Sequence, residues 1–267
     1  MTALVAIPFL LWMIYWGPVW FLNLFVLLIT FIGLREFAAM ALRGVPGGTT
    51  MITVGGMTIA VTIGLIQSGA AVSAGIAACL VCVLVGTLWT AREMQESVHN
   101  AGQILLGCLY AGVFLPHFIW VRALPETGPG WVTLVLGCVM AGDAGGYFGG
   151  RTFGKRKLWP QVSPNKTVEG AASSFACSVI VCAVFNAVTS PHLGFLESLL
   201  VGGIINILAQ LGDLMESMLK RAYDANDSGW IFPGHGGVLD RTDSLVLPIV
   251  FAYYYAILAK EHLGPGW

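Results

Sequence analysis

Between Leu211 and Ser244 the chain gathers nine charged side chains: Asp213, Glu216, Lys220, Arg221, Asp224, Asp227, Asp240, Arg241 and Asp243. The whole sequence is only 10% charged and 57% hydrophobic. Carboxylates are natural ligands for a hard divalent cation, and Lys and Arg are natural partners of phosphate oxygens. At about 100° per residue, Asp213, Glu216, Ser217, Lys220 and Asp224 fall within roughly a third of a helix circumference. Acids and a lysine therefore face the same way, with Arg221 at the edge. Pro233-Gly234-His235-Gly236-Gly237 cannot continue that helix, and Gly236 and Gly237 permit a backbone turn close to a phosphate or metal. Asp240 and Asp243 follow at i, i+3, at the mouth of the next apolar segment. Mg²⁺ usually takes one or two carboxylates and fills its shell with substrate phosphates, so helix acids facing loop acids suit a metal–phosphate site.

A second constellation lies upstream. Asp143 sits in Met140-Ala-Gly-Asp-Ala-Gly-Gly-Tyr, late in an apolar segment, where an unpartnered carboxylate is costly. A basic loop follows, with Arg151, Lys155, Arg156 and Lys157, then Ser163-Pro164-Asn165-Lys166-Thr167-x-Glu169-Gly170. A plain topology signal would not need this ordered choice of residue types. Ser163 or Thr167 can cap the next helix, and a helix N-terminus beside a lysine attracts anions. Glu36 reads equally as one member of an intrahelical ion pair and as a site acid. Cys79-x-x-Cys82 has no second pair or nearby His, and reads as helix packing.

Taken together, Ser217-x-x-Lys220-Arg221, then Asp227, then Pro233-Gly234-His235-Gly236-Gly237-x-x-Asp240-Arg241-x-Asp243 resembles the signature of the CDP-diacylglycerol synthases, or phosphatidate cytidylyltransferases. The stretch from Asp143 through Glu169 resembles the same family, so the likeness covers most of residues 140–244. Residues 1–139 match it only in general character. One position departs: the family usually has Lys directly before the acid that is Asp227 here, and this chain has Asn226. Arg156 and Lys157 are the cations that would replace it.

The resemblance implies transfer of CMP from CTP to phosphatidic acid, giving CDP-diacylglycerol and pyrophosphate. The lipid phosphate attacks the α-phosphorus, so no protein nucleophile is required. What is required is in-line placement and neutralised phosphate charge. Asp213 and Asp240 are the first candidates for Mg²⁺ ligands, Asp243 and Asp143 the next, with room for a second metal ion. Lys220 and Arg221 join Asp213, Asp240 and Asp243 as the catalytic set. Lys166, Ser217, His235, Gly236, Gly237, Arg241, Arg151 and Lys155 are the substrate-binding candidates. The family likeness also implies a homodimer. A lipid or polyprenol kinase would need a similar metal–nucleotide site. An ion-coupled transporter would use Asp143, Glu36 and Asp213 as a relay, but no internal repeat of the transporter kind is found.

Long apolar elements must position these groups. Mean hydropathy is +0.79, far above a soluble domain, which carries about 25% charged residues. The fold class expected is all-α, a polytopic integral membrane helical bundle of about nine transmembrane helices. Their approximate limits are 3–16, 18–42, 52–67, 71–90, 102–122, 130–150, 168–190, 194–221 and 244–262. Residues 1–139 form the N-terminal helices and 140–267 the C-terminal helices carrying the site, in one membrane domain. A net charge of −1 gives no reason to expect nucleic acid as a partner; membrane lipids surround the chain. Ten of the Lys and Arg residues fall in alternate loops (Arg43; Arg92; Arg151 to Lys166; Lys220, Arg221 and Arg241), against Arg122 and Lys260 on the other set. Positive loops stay inside. The charged site therefore faces the cytoplasm, at a bacterial inner membrane. No basic stretch precedes the first apolar run, so no cleaved signal is expected.

Overall fold

The structure is a computed structural model that describes residues 2–66, 68–90, 93–189, 193–229 and 236–263. His235, with Pro233 and Gly234, lies outside the described residues. The element order is α1 (Thr2–Tyr15), α2 (Val19–Ala41), α3 (Gly48–Ile66), α4 (Gly69–Thr90), α5 (Met94–Gly112), α6 (His117–Arg122), α7 (Gly128–Phe153), β1 (Lys157–Trp159), β2 (Ser163–Thr167), α8 (Val168–Thr189), α9 (Phe195–Ala222) and α10 (Leu239–Leu263).

Among the described residues, eight helices are long and apolar enough to cross a membrane: Val19–Ala41, Gly48–Ile66, Gly69–Trp89, Met94–Arg122, Gly128–Phe153, Val168–Val188, Phe195–Ala222 and Leu239–Ala259. The chain is thus a helical integral membrane protein, as expected. The ninth expected segment, 3–16, is α1, with 14 residues. At 1.5 Å per residue it reaches about 21 Å, short of a hydrocarbon core of about 30 Å. The all-helical expectation omitted a small antiparallel hairpin, β1–β2, in which Lys157 pairs with Thr167 and Trp159 with Ser163. Short strands in a charged loop carry almost no periodic signal.

Satisfied backbones and apolar exteriors follow from the solvent. Thr30, Thr53, Thr58 and Thr62 each donate their hydroxyl to the carbonyl four residues earlier, the local solution for a hydroxyl that hydrocarbon cannot hydrate. Leu24, Val54, Val81 and Leu200 remain largely exposed on their helices; in a bilayer such faces meet acyl chains.

The chain divides into two compact units. One comprises Met1–Ala123 with Tyr223–Arg241, the other Leu124–Ala222 with Thr242–Trp267. In the first, Phe37, Ile52, Ile59 and Ile104 are fully buried between α2, α3 and α5. Its charged centre is Glu36, which is 6% exposed. The Glu36 carboxylate accepts from the backbone N–H of Val238 and Leu239, both at 2.9 Å, and from the Ser228 hydroxyl at 3.4 Å. These are orphan donors at the start of α10, and an anion there also complements the helix dipole.

In the second unit, α7 packs closely on α8. Gly145 stands where a methyl group would lie 2.5 Å from the Cys177 sulfur, and one at Gly149 would overlap the Ser173 side chain. Gly202 brings α9 against α8 in the same way, a Cβ there falling 2.7 Å from Cys182 Cβ. Such small-residue faces let helix backbones approach where no hydrophobic effect drives them together.

Candidate functional site

The second unit contains a cavity of about 640 Å³ framed by α7, the hairpin, α8 and α9. Four of the expected site residues line it: Asp143 and Arg151 from α7, Lys166 from β2 and Asp213 from α9. Asn165, Thr167, Tyr147 and Gln210 join them; none of these had been singled out as a site residue.

Each element presents its residue for a local reason. The hairpin folds back onto the N-terminus of α8, and Thr167 caps that helix by accepting from the Gly170 N–H at 3.1 Å. Of the two capping candidates, Thr167 does so, while Ser163 opens β2. Glu169, in the first turn of α8, accepts from the backbone N–H of Lys155 at 3.0 Å and of Arg156 at 3.1 Å. It also pairs with the Arg156 guanidinium at 3.2 Å. This carboxylate clamps the loop, so Lys166 arrives on a braced strand. Its ammonium forms an ion pair with Asp213 Oδ2. Arg151 donates to the Tyr147 hydroxyl, one helical turn earlier, at 3.4 Å.

Asp213 is the hub. Its Oδ1 accepts from Ser217 at 3.5 Å, and its charge is felt by both Asp143 and Asp243. Asp243 comes near because the start of α10 lies on α9: its carbonyl oxygen packs onto Gly212, which has no side chain to hold it off. Asp243 Oδ1 accepts from the Ser244 N–H at 2.6 Å. Lys220 pairs with Glu216 at 2.8 Å across one helical turn. The shared face read from the 100° period is therefore present, with Glu216 as the fixed partner of Lys220. Arg221 and Lys155 are exposed.

The remaining expected residues that are described belong to the first unit. Asp240 Oδ2 accepts from the Ser228 N–H at 2.8 Å, the Ser228 hydroxyl at 2.7 Å and the Gly237 N–H at 2.8 Å. Gly236 has a φ of +78°, a conformation natural to glycine, and a Cβ there would lie 2.5 Å from Asp240. A Cβ on Gly237 would lie 2.5 Å from both Glu36 carboxylate oxygens. The glycine pair thus makes room for two carboxylates of the protein itself. Arg241 follows, exposed. Glu36 is neither in an intrahelical ion pair nor on the cavity wall: among the described contacts it holds the start of α10.

The donor set of the second unit fits a hard divalent cation. Asp143, Asp213, Asp243 and Glu216 stand against Arg151, Lys166 and Lys220, four acids to three cations, so the cluster carries a small excess of negative charge. All of its ligand atoms are carboxylate oxygens, as Mg²⁺ prefers. Among the described residues, no group of three or more His, Cys, Asp or Glu is drawn tightly enough to cage a metal.

Residues 1–259 match a family model described as "Cytidylyltransferase family". The chain is 40% identical over 159 residues to a phosphatidate cytidylyltransferase of Bacillus subtilis, covering 60% of this chain and 59% of that one. It is 41% identical over 156 residues to one of Staphylococcus haemolyticus, covering 58% and 59%. It is 37% identical over 151 residues to one of Mycobacterium tuberculosis, covering 54% and 45%. The chain thus spans about three-fifths or less of the length of these relatives. The family match, in contrast, runs from the first helix almost to the end of α10, and with it the chain belongs to the cytidylyltransferase family.

Proposed function

We propose that the protein is a phosphatidate cytidylyltransferase, a nucleotidyltransferase that moves CMP from CTP to phosphatidic acid and releases pyrophosphate. The observation that carries this reading is the cavity whose wall sets Lys166 and Arg151 beside Asp143 and Asp213. Cations there would neutralise phosphate oxygens, and the acids would hold the metal that accompanies a nucleotide triphosphate.

The lipid phosphate is ionised at neutral pH, so it attacks the α-phosphorus of CTP without a general base. The P–O bond to the β-phosphate breaks and pyrophosphate leaves with its electron pair. The protein's work is placement and charge neutralisation. Lys166, on its braced strand, releases Asp213 and turns to the phosphates as they enter. Arg151 reaches the same space with a planar fork suited to two phosphate oxygens. Asp213, with Asp143 and Asp243, would hold Mg²⁺, which when bound would polarise the phosphate oxygens and shield their charge. Asp240, Arg241 and the glycine turn belong to the same motif as Asp243. The metal role of Asp240, and the phosphate roles of Arg241, Gly236, Gly237, Ser217, Lys220 and Arg221, rest on that motif. The reading includes a homodimer in a bacterial inner membrane, with the cavity open to the cytoplasm and its CTP.

A nucleotide panel tests the reading. Purified protein with Mg²⁺ and phosphatidate should release pyrophosphate with CTP. Release of ADP from ATP would make it a lipid kinase. No nucleotide turnover with any triphosphate would return it to the transporter reading.

A further inference from the structure

One wall of the cavity carries a polar chain that phosphate chemistry leaves unused. Gln210 lines the cavity one helical turn before Asp213. Its amide nitrogen donates to the Ala171 carbonyl at 3.2 Å and to Asn206 Oδ1 at 2.5 Å. Asn206, only 1% exposed, in turn donates its amide nitrogen to the Ser174 carbonyl at 3.2 Å and the Ser174 hydroxyl at 2.9 Å.

The orientation of both amides follows from chemistry. A backbone carbonyl only accepts, so the Ser174 carbonyl must face the Asn206 nitrogen. Asn206 Oδ1 then faces Gln210 and demands a donor, as does the Ala171 carbonyl. A primary amide has two N–H groups, and Gln210 has committed both. Its carbonyl oxygen is what it has left to offer a ligand. Gly142 makes space for the arrangement, since a Cβ there would lie 2.5 Å from the Asn206 nitrogen.

Cytosine and uracil differ at one edge. Cytosine carries an exocyclic amino group, a donor, where uracil carries a carbonyl, an acceptor. An acceptor that cannot rotate into a donor favours the first and repels the second, and a site built to bond an N–H strongly rejects an analogue lacking it. We propose that Gln210 is the specificity-determining residue for the pyrimidine base, accepting from the cytosine amino group. Asn206 is its positioning residue, which keeps the Gln210 amide from flipping. The inference rests on the reading that this cavity takes a nucleotide, and it deepens that reading by assigning the base edge.

The test compares kcat/KM for CTP, for UTP and for the triphosphate of 2-pyrimidinone riboside, which lacks the amino group. It uses full-length protein in lipid. Unmodified protein should prefer CTP over both by at least about tenfold. In Gln210→Met the ratio of CTP to the 2-pyrimidinone nucleotide should collapse to near unity, whichever way the absolute rates move. Asn206→Leu should lower the same ratio while Gln210 is intact, an effect that loss of fold alone would not give. Should Gln210→Met fail to insert, the joint replacement Gln210→Met with Asn206→Leu, which removes the acceptor without stranding the Asn206 carbonyl oxygen, carries the comparison. Equal use of CTP and the 2-pyrimidinone nucleotide by unmodified protein would overturn the proposal. So would an unchanged preference in the Gln210 variants. Absence of turnover with every nucleotide would instead overturn the enzyme reading, and the base assignment with it.

Discussion

Lys220 lies against Glu216 on α9, with side chains 17% and 1% exposed and 2.8 Å apart. Removing one member of a buried pair strands the other charge, at a cost of about 3–5 kcal/mol. Lys220→Ala should therefore lower both stability and turnover. The joint replacement Glu216→Leu with Lys220→Met removes both charges; it should recover the unfolding temperature in detergent while turnover stays lost if Lys220 also meets phosphate. Recovery of both would confine Lys220 to a structural role. Asp213→Asn changes one oxygen at the hub of the cluster. We expect kcat to fall by about 10²–10³-fold, the loss typical of one preorganised electrostatic contact, and near-normal rates at saturating Mg²⁺ would remove Asp213 from the ligands. The face shared by Asp213, Ser217 and Lys220 was legible in the sequence because helical period is arithmetic. The i, i+4 spacing of Glu216 and Lys220 was a signal for their pairing as well. The ion pair of Lys166 with Asp213 was not legible, since it depends on a hairpin fold between distant segments. Arg156, expected with Lys157 as a substitute for the lysine missing at Asn226, pairs with Glu169 through a side chain that stays largely exposed.

At the scale of elements, α7 and α8 close on one another through glycine, and α7 carries both Asp143 and Arg151. A Cβ at Gly149 would overlap the Ser173 side chain, and overpacking of this kind costs about 1–3 kcal/mol. Gly149→Ala should lower the unfolding temperature and slow turnover. Adding Ser173→Gly should restore both, because it returns the missing volume. Failure of the second change to rescue the first would mean that Gly149 matters for another reason. The abundance of glycine in 140–150 was readable as close packing. The hairpin was not, because its strands of three and five residues are bounded by charges and carry no alternating apolar pattern. The turn at Gly236-Gly237 was read as a place of close approach. What approaches among the described residues is the protein's own Glu36 and Asp240, and Glu36 lies 200 residues earlier, beyond any local pattern.

For the whole molecule, most apolar segments were legible to within a few residues of their ends, because a bilayer demands long helices, but the one expected over 102–122 begins at Met94 and divides into α5 and α6. Only the first, too short to span, was overcounted. The orientation proposed from the basic loops is checked, within the second unit, by cysteines at Thr152 and Glu126, in protein lacking its own cysteines. Thr152 should label with an impermeant maleimide only from the cytoplasmic face and Glu126 only from the opposite face; labelling of both from one face would break the assigned topology. The division into two units, the second holding the cavity, was beyond the reach of hydropathy, since residues 223–241 join a unit that begins at the N-terminus. As a proposed phosphatidate cytidylyltransferase, the chain would transfer the nucleotidyl group, rather than the terminal phosphate, to a lipid acceptor. This is tested most directly by giving the purified protein phosphatidate, Mg²⁺ and CTP labelled at either the α- or the γ-phosphate. The α-label should enter the organic-soluble lipid in proportion to the pyrophosphate released, while the γ-label should stay wholly in pyrophosphate. Transfer of γ-label to lipid, or no lipid label from either nucleotide, would contradict the proposal.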